Sequence, residues 1–399
     1  MTSRRLFLGA AGGLAGAGLV QHAQAAPVAA GAEPFYAPHQ AGITTPMQDA
    51  LYFAAFDVVA DDRAALIALL QSWTRAAARL TAGLPAEPGA DSGEAVGLSP
   101  AGLTITFGFG PELFLLDGKD RFGLASSRPA ALVDLPRFPG DELVEGQCGG
   151  ALAVQACAND PQVAFHAVRQ LARLGYGVVS LKWVQSGFAT GNKTAGTARN
   201  LMGFKDGTMN PKGAALAPAV WAGAEGPGWM AGGSYMVARR IRIALEHWDR
   251  MKIAFQEKTF GREKASGAPL GGHHEFDTPD FKATDANGDF VIPETAHVRL
   301  AAPVNNDGAT ILRRSYSYND GANFVAERWP PWRQAIEYDA GLFFQAYQQD
   351  PRTGFIKLFE KMSRIDALNQ FTTHVGSAVF ACPPGVREGG YIGQDLFAA

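Results

Sequence analysis

The sequence predicts an α+β protein made of two ferredoxin-like domains with antiparallel sheets. Three observations carry this. Residues 51–188 order as strand, helix, strand, strand, helix, strand; residues 235–382 repeat that order; and a Gly/Ala/Pro-rich segment, 211–233, separates the two. The boundaries that follow are 39–210 for the first domain, 211–233 for the linker and 234–399 for the second. A chain of 399 residues is long enough for two cores without disulfide support.

In the first half, Leu51 to Val59 is a nearly continuous apolar run, as expected of a buried strand. Asp61-Asp62 then supplies an N-cap and first-turn acids for a helix over 63–80. Leu103-Thr104-Ile105-Thr106-Phe107 alternates as a strand does, and Ala151 to Ala156 is a second short apolar run. Asp160-Pro161 opens a helix that Gly175 ends, and Val178 to Phe188 supplies the fourth strand. In the second half, Tyr235 to Ile243 and a helical stretch from Leu245 to Phe255 are followed by expected strands at His297 to Ala301 and Ile311 to Tyr318. The segment Leu342 to Tyr347, a helix over 353–362 and a strand at Ala378 to Cys382 complete the set. Residues 26–38, rich in Ala, Pro and Gly, are expected to drape loosely ahead of a fold that begins near His39.

The N-terminus carries Ser3-Arg4-Arg5-Leu6-Phe7-Leu8 and an Ala/Gly/Leu-rich run ending at Ala23-Gln24-Ala25, a twin-arginine signal over residues 1–25 with an A-x-A cleavage site. The apolar run from Leu6 to Val20 is short of the roughly 20 residues a membrane span needs. The mature chain is therefore expected in the periplasm or secreted, without stable membrane insertion. A formal charge of -3, a pI near 6.3 and no long basic run exclude a nucleic-acid partner. Of the cysteines Cys148, Cys157 and Cys382 one must stay unpaired, and Cys157 and Cys382 lie in apolar surroundings that suit buried thiols.

Chemistry concentrates in three places. Gly203-Phe204-Lys205-Asp206-Gly207-Thr208 is a turn whose two glycines flank an acid, fixing Asp206 so that it projects. Asp-Gly alone marks an ordinary hairpin turn. Downstream stand His297 in Ala296-His297-Val298-Arg299-Leu300, and Leu312-Arg313-Arg314-Ser315-Tyr316. Acid, histidine and arginine on three separate segments are the residue types a haem peroxidase uses.

With Gln40-Ala41-Gly42-Ile43, Leu51 to Asp57, Gln155-Ala156-Cys157 and Trp183-Val184-Gln185 added, the chain resembles the dye-decolourising peroxidases, most closely the exported deferrochelatase/peroxidase branch. The resemblance implies one haem b per chain, held mainly by the second domain. It implies His297 as the iron ligand, Asp206 as the acid/base and Arg313 as the cation beside peroxide. Gly207, Thr208, Met209, Arg299, Ala302, Pro303, Val304, Leu342 and Phe344 are the further cofactor contacts, with Arg299 on the same strand face as His297. No C-x-x-C-H is present, so the haem is expected to be non-covalent. The implied function is reduction of hydrogen peroxide with oxidation of phenolic, aromatic or dye-like donors. The alternative is a haem-binding protein that releases iron from a porphyrin-type donor, with periplasmic iron-uptake partners. A homo-oligomer is expected by analogy.

An ordinary aspartate titrates near about 3.9 and remains a base well below neutral pH, so an acidic optimum is expected. In a strand Arg313 and Arg314 face opposite ways, leaving Arg314 as a surface charge. Among the other histidines, His166 sits at a helix position that could face solvent, His247 lies among charged neighbours, and His374 lacks a matching motif. His273-His274 is expected on a loop that closes over the pocket. Asp285 to Asp289 lacks the glycine and glutamate of a calcium loop, and a surface turn is expected. Two departures from the family stand out. Ala302-Pro303-Val304 replaces the usual Asn-Pro-Arg, and the acid expected to orient the axial histidine appears as Asn369, with Asp366 nearby but off register. Trp329, Trp332 and Tyr338 form the densest aromatic cluster for passing electrons to bulky donors, although a packed aromatic loop around Pro330-Pro331 is the better reading.

Overall fold

The computed structural model describes residues 30–189, 196–223, 226–326 and 334–398. The twin-arginine segment, Trp329 and Trp332 lie outside the described residues.

The first half runs β1 (Ala50–Val58), α1 (Arg63–Thr81), β2 (Thr104–Phe109), the single turn α2 (Pro111–Phe114), β3 (Leu152–Ala158), α3 (Pro161–Leu174) and β4 (Val179–Phe188). Both long helices begin where a local cap dictates. The Asp62 carboxylate accepts from the backbone N–H of Ala64 and Ala65, and Asp160 accepts from Gln162 and Val163. From α1, Leu66, Leu69, Leu70, Trp73, Ala77 and Leu80 are buried, one face at helical spacing laid on the sheet. The strands order as β2-β3-β1-β4, the ferredoxin-like arrangement.

The connecting segment packs rather than hangs. It carries α4 (Leu216–Val220), buries Val220, Trp229 and Met230, and donates the Trp229 indole N–H to Ser127 O. The stretch before His39 is likewise anchored, through Phe35, which packs edge-on against Phe107.

The second half runs β5 (Ser234–Ile243), α5 (Leu245–Asp249), α6 (Ile253–Phe260), α7 (His297–Ala301), β6 (Leu312–Arg313), β7 (Tyr316–Ala326), β8 (Gln334–Gln348), α8 (Lys357–Ile365), β9 (Thr372–Cys382) and α9 (Gln394–Ala398). Its sheet orders as β9-β5-β8-β7, with β6 continuing the β7 edge along β8. Single register pairs at Phe109↔Ala381 and Phe188↔Ser317 join the two sheets edge to edge. Together these seams close a ring of eight strands, which removes the free edges that four-stranded sheets would leave. Phe53 and Trp183 from the first half pack there with Tyr316, Phe343 and Phe380 from the second.

Several sequence expectations are corrected. The segment His297 to Ala301 is a helical turn, not a strand. Asn305 and Asn306 donate side-chain N–H groups to Arg299 O and to Leu300 O and Ala302 O, holding the last carbonyls of α7. Arg314 is buried, with its guanidinium on Thr45 O, Pro46 O and Gln48 Oε1, and so ties the second half to the first. His166 is buried against the 83–102 loop rather than facing solvent. Asp285 to Asp289 is the surface turn expected, with Asp285 Oδ1 accepting from Asn287 and Asp289. All three cysteines are free, with Cys157 and Cys382 buried. Among the described residues no helix is long and apolar enough to cross a membrane.

Candidate functional site

The Asp206 turn is built from its anchors upward. Asn200 Oδ1 accepts from the N–H groups of Met202 and Phe204, and Asp206 N donates to Ala198 O at 2.9 Å. Phe204 is buried and stacks on Phe260 with ring centroids 4.0 Å apart. Gly207 has φ +107°, a conformation that a side chain resists, so the chain can turn directly after the acid. Asn210 then reaches across to Arg313, donating Nδ2–H to its carbonyl at 2.7 Å and accepting its N–H at 3.1 Å. This clamp sets the Arg313 guanidinium against the turn, with Nη1 2.8 Å from Asp206 Oδ1.

His297 opens α7. Gly261 ends α6 at φ +81°, where an added Cβ would lie 2.5 Å from Val298 Cγ1, so its lack of a side chain lets α6 and α7 approach. His297 Nδ1 is 2.7 Å from Asp366 Oδ2, and Asp366 Oδ1 accepts from Leu368 N. A carboxylate only accepts, so Nδ1 carries the proton and Nε2 keeps its lone pair. The orienting acid is thus Asp366. Asn369 instead donates to Met362 O at the end of α8. Of the two, Asp366 stands directly after α8 and faces α7, whereas Asn369 points back to α8.

His374 behaves in the opposite sense. Its Nδ1 accepts from Arg239 Nε at 3.0 Å, so its lone pair is committed and a neutral ring carries its proton on Nε2. Burial, reinforced by Arg239, holds its pKa well below the ordinary histidine value. It lines the cavity with its Nδ1 already engaged by Arg239.

A single cavity of about 790 Å³ takes in His297, Asp366, Asp206 and Arg313 together. Of the expected contacts, Thr208, Met209, Arg299, Ala302, Pro303, Val304, Leu342 and Phe344 also line it. Gly207 shapes the turn without lining the cavity. Arg299 does not share a strand face with His297. Its Nε and Nη2 donate to Ile292 O, and its guanidinium lies over the Phe281 and Phe290 rings. The Thr208 hydroxyl donates to Glu275 Oε1, beside the Lys205–Glu275 ion pair. Burial raises the Glu275 pKa, but hydrogen bonds from Lys205, Thr197 and Thr208 pull it below the ordinary value. His273 and His274 are exposed and lie outside the cavity; Thr278 to Lys282, just beyond them, line it.

The cavity fits haem on its own terms. Its walls include Ile241, Ile243, Phe260, Leu342, Phe344 and Leu358, which suit an apolar macrocycle. Arg262, missed in the sequence, is buried with Nη1 on Gly267 O and Glu275 O, and Nη2 has no hydrogen-bond partner. A lining arginine with a buried free N–H fits a carboxylate such as a propionate.

Residues 40–189 match the family model of the Dyp-type peroxidase N-terminal domain, and residues 197–387 match that of the C-terminal domain. The chain belongs to the Dyp-type peroxidase family. It is 40% identical over 380 residues to the dye-decolorizing peroxidase of Thermobifida fusca, covering 90% of this chain and 83% of that protein. It is 37% identical over 425 residues to the deferrochelatase of Escherichia coli K12, covering 99% and 96%. Ferric DtpA from Streptomyces lividans superposes with a TM-score of 0.85 at 40% identity, covering 92% of this chain and 97% of that one. This Dyp-type peroxidase is a haem-dependent oxidoreductase that uses hydrogen peroxide and an organic donor.

Proposed function

We propose that His297 is the axial iron ligand and that Asp206 and Arg313 work on peroxide in the same cavity. The observation that carries this is the pairing of His297 Nδ1 with buried Asp366, because it leaves Nε2 as an oriented, electron-rich donor. Bound haem supplies the iron at which peroxide is reduced and the oxidising equivalents that pass to the donor. Asp206 Oδ1 is held by Arg313, and we assign Oδ2 to take a proton from one peroxide oxygen and return it to the other. The Arg313 guanidinium offsets the negative charge that builds on the departing oxygen. The Asn210 clamp keeps both groups in register, so little reorganisation accompanies the proton transfer. Arg262 holds a propionate, and His374, with Nδ1 taken up by Arg239, lines the same cavity.

The donor is phenolic, aromatic or dye-like. Tyr338, which is 54% exposed, is one described aromatic suited to meeting donors too bulky for the cavity. The second reading is iron release from a porphyrin, supported by identity to the E. coli deferrochelatase across nearly the whole chain. Export through the twin-arginine signal, a periplasmic or secreted location, periplasmic iron-uptake partners and homo-oligomerisation complete the proposal.

Purified His297→Ala tests the axial assignment. It is expected to fold and to lose stable haem binding, and a full haem complement with an unchanged spectrum would refute the assignment. Product analysis separates the two functions. Donor oxidation with the porphyrin iron retained supports the peroxidase, and accumulation of iron-free porphyrin supports the second reading.

A further inference from the structure

Away from the haem cavity, the 83–102 loop between α1 and β2 folds over α3 and brings Asp91 and Glu94 to His166. The His166 Nε2 lies 3.4 Å from Asp91 Oδ2, and its Nδ1 lies 3.1 Å from Glu94 Oε1. One ligand atom from each of the three residues falls within 4.8 Å of the others. None of the three lines the haem cavity.

A second observation separates this cluster from an ordinary acidic patch. His166 is only 4% exposed, yet its Nδ1 and the facing Glu94 Oε1 are both buried without a hydrogen-bond partner, since their mutual orientation does not suit one. Buried polar atoms normally make well-aligned hydrogen bonds, and two that meet only as an ion pair leave their lone pairs open to a further partner. The surrounding ring is already in place. Asp91 accepts from Ala86 N through Oδ2 and from Gly93 N through Oδ1, both at 2.8 Å. Ser92 donates its hydroxyl to Glu94 Oε2, and Gln162 and Gln170 hold Glu94 O and the Ser92 hydroxyl. Arg169 Nη1 lies 3.1 Å from Glu94 Oε1, but its side chain is 53% exposed and free to turn outward.

We propose that Asp91, Glu94 and His166 form a site for a divalent transition-metal ion of the Zn²⁺ class. One imidazole and two carboxylates are a mixed N/O set that suits Zn²⁺, whereas Ca²⁺ requires six to eight oxygens. Water completes the coordination from the loop side. The ion pins the loop to α3, a structural role, because no reacting group of the peroxidase lies at the site.

The holoprotein, stripped with chelator and dialysed against Zn²⁺, tests this by metal analysis and by amide exchange. One zinc per chain beyond the haem iron is expected, with exchange slowed at Ser92 to Glu94. His166→Gln and Glu94→Gln should each weaken zinc binding by about 10–100-fold or more, with haem spectrum and peroxidase turnover unchanged. His273→Gln/His274→Gln, which removes the exposed histidine pair, should leave it intact. Undiminished zinc binding in His166→Gln would overturn the assignment. If the single variants fail to fold, absence of zinc-dependent protection at 92–94 in the wild-type protein would overturn it instead. Lack of zinc binding by the chelator-stripped wild-type protein would equally overturn it.

Discussion

Asp366→Asn probes the link between fold and iron most sharply. The wild-type carboxylate serves two donors at once, His297 Nδ1–H through Oδ2 and Leu368 N–H through Oδ1. An amide has one acceptor oxygen, so the variant can satisfy only one of them and turns its NH₂ on the other. Leaving a buried donor unsatisfied costs about 1–3 kcal/mol. Loss of such a partner typically weakens metal binding by about 10–100-fold. On the proposed axial role of His297, the charge lost in the variant is one that favours ferric over ferrous iron. If the ferric form loses about tenfold more affinity than the ferrous, the one-electron potential rises by about 59 mV. Haem titration and spectroelectrochemistry read the two quantities. An unchanged potential in Asp366→Asn, or an equal shift in Asn369→Ala, would refute the reasoning.

Arg262→Gln removes the buried N–H assigned to a propionate and should weaken haem binding by about 1.5–3 kcal/mol; an unchanged haem titration would remove Arg262 from the site. Gly207→Ala places a side chain at φ +107°, with an expected loss of about 1 kcal/mol or more by thermal melt and a slower peroxide reaction at full haem content. For His374 the sign follows from its depressed pKa. The unfolded chain takes up the proton near about 6.5 and the folded chain resists it, so this contribution to stability erodes as pH falls below about 6.5. His374→Gln should flatten that part of the melting profile, and an identical profile would contradict the burial argument.

Local chemistry was the legible part of the sequence. Asp62 and Asp160-Pro161 cap their helices because a cap needs only the next three residues, and the strands of the first half follow from long apolar runs. The acid, histidine and arginine were found, and they share one cavity. What stayed hidden depends on distant partners. His297 to Ala301 alternates like a strand, but five residues cannot separate the two periods, and Asn305 and Asn306 decide for helix. Arg314 looked like a surface charge because Thr45 and Gln48, which bury it, lie more than 260 residues earlier. Ring closure rests on Phe109↔Ala381 and Phe188↔Ser317, pairings with no local signature. Arg262 had no sequence mark, since its role comes from the loop that folds Glu275 over it.

The central claim is that Asp206 moves the proton while Arg313 supplies charge, and the ion pair between them makes loss of rate alone ambiguous. General acid–base assistance contributes about two to four orders of magnitude, and one preorganised charge about two to three. The deciding measurement is the pH dependence of the second-order rate of the peroxide reaction in wild type, Asp206→Asn and Arg313→Leu, each loaded with haem. The expected result is a flattened acid limb in Asp206→Asn and a parallel drop at every pH in Arg313→Leu. A parental pH profile in Asp206→Asn with a lost profile in Arg313→Leu would contradict the assignment and return Asp206 to a residue of the turn.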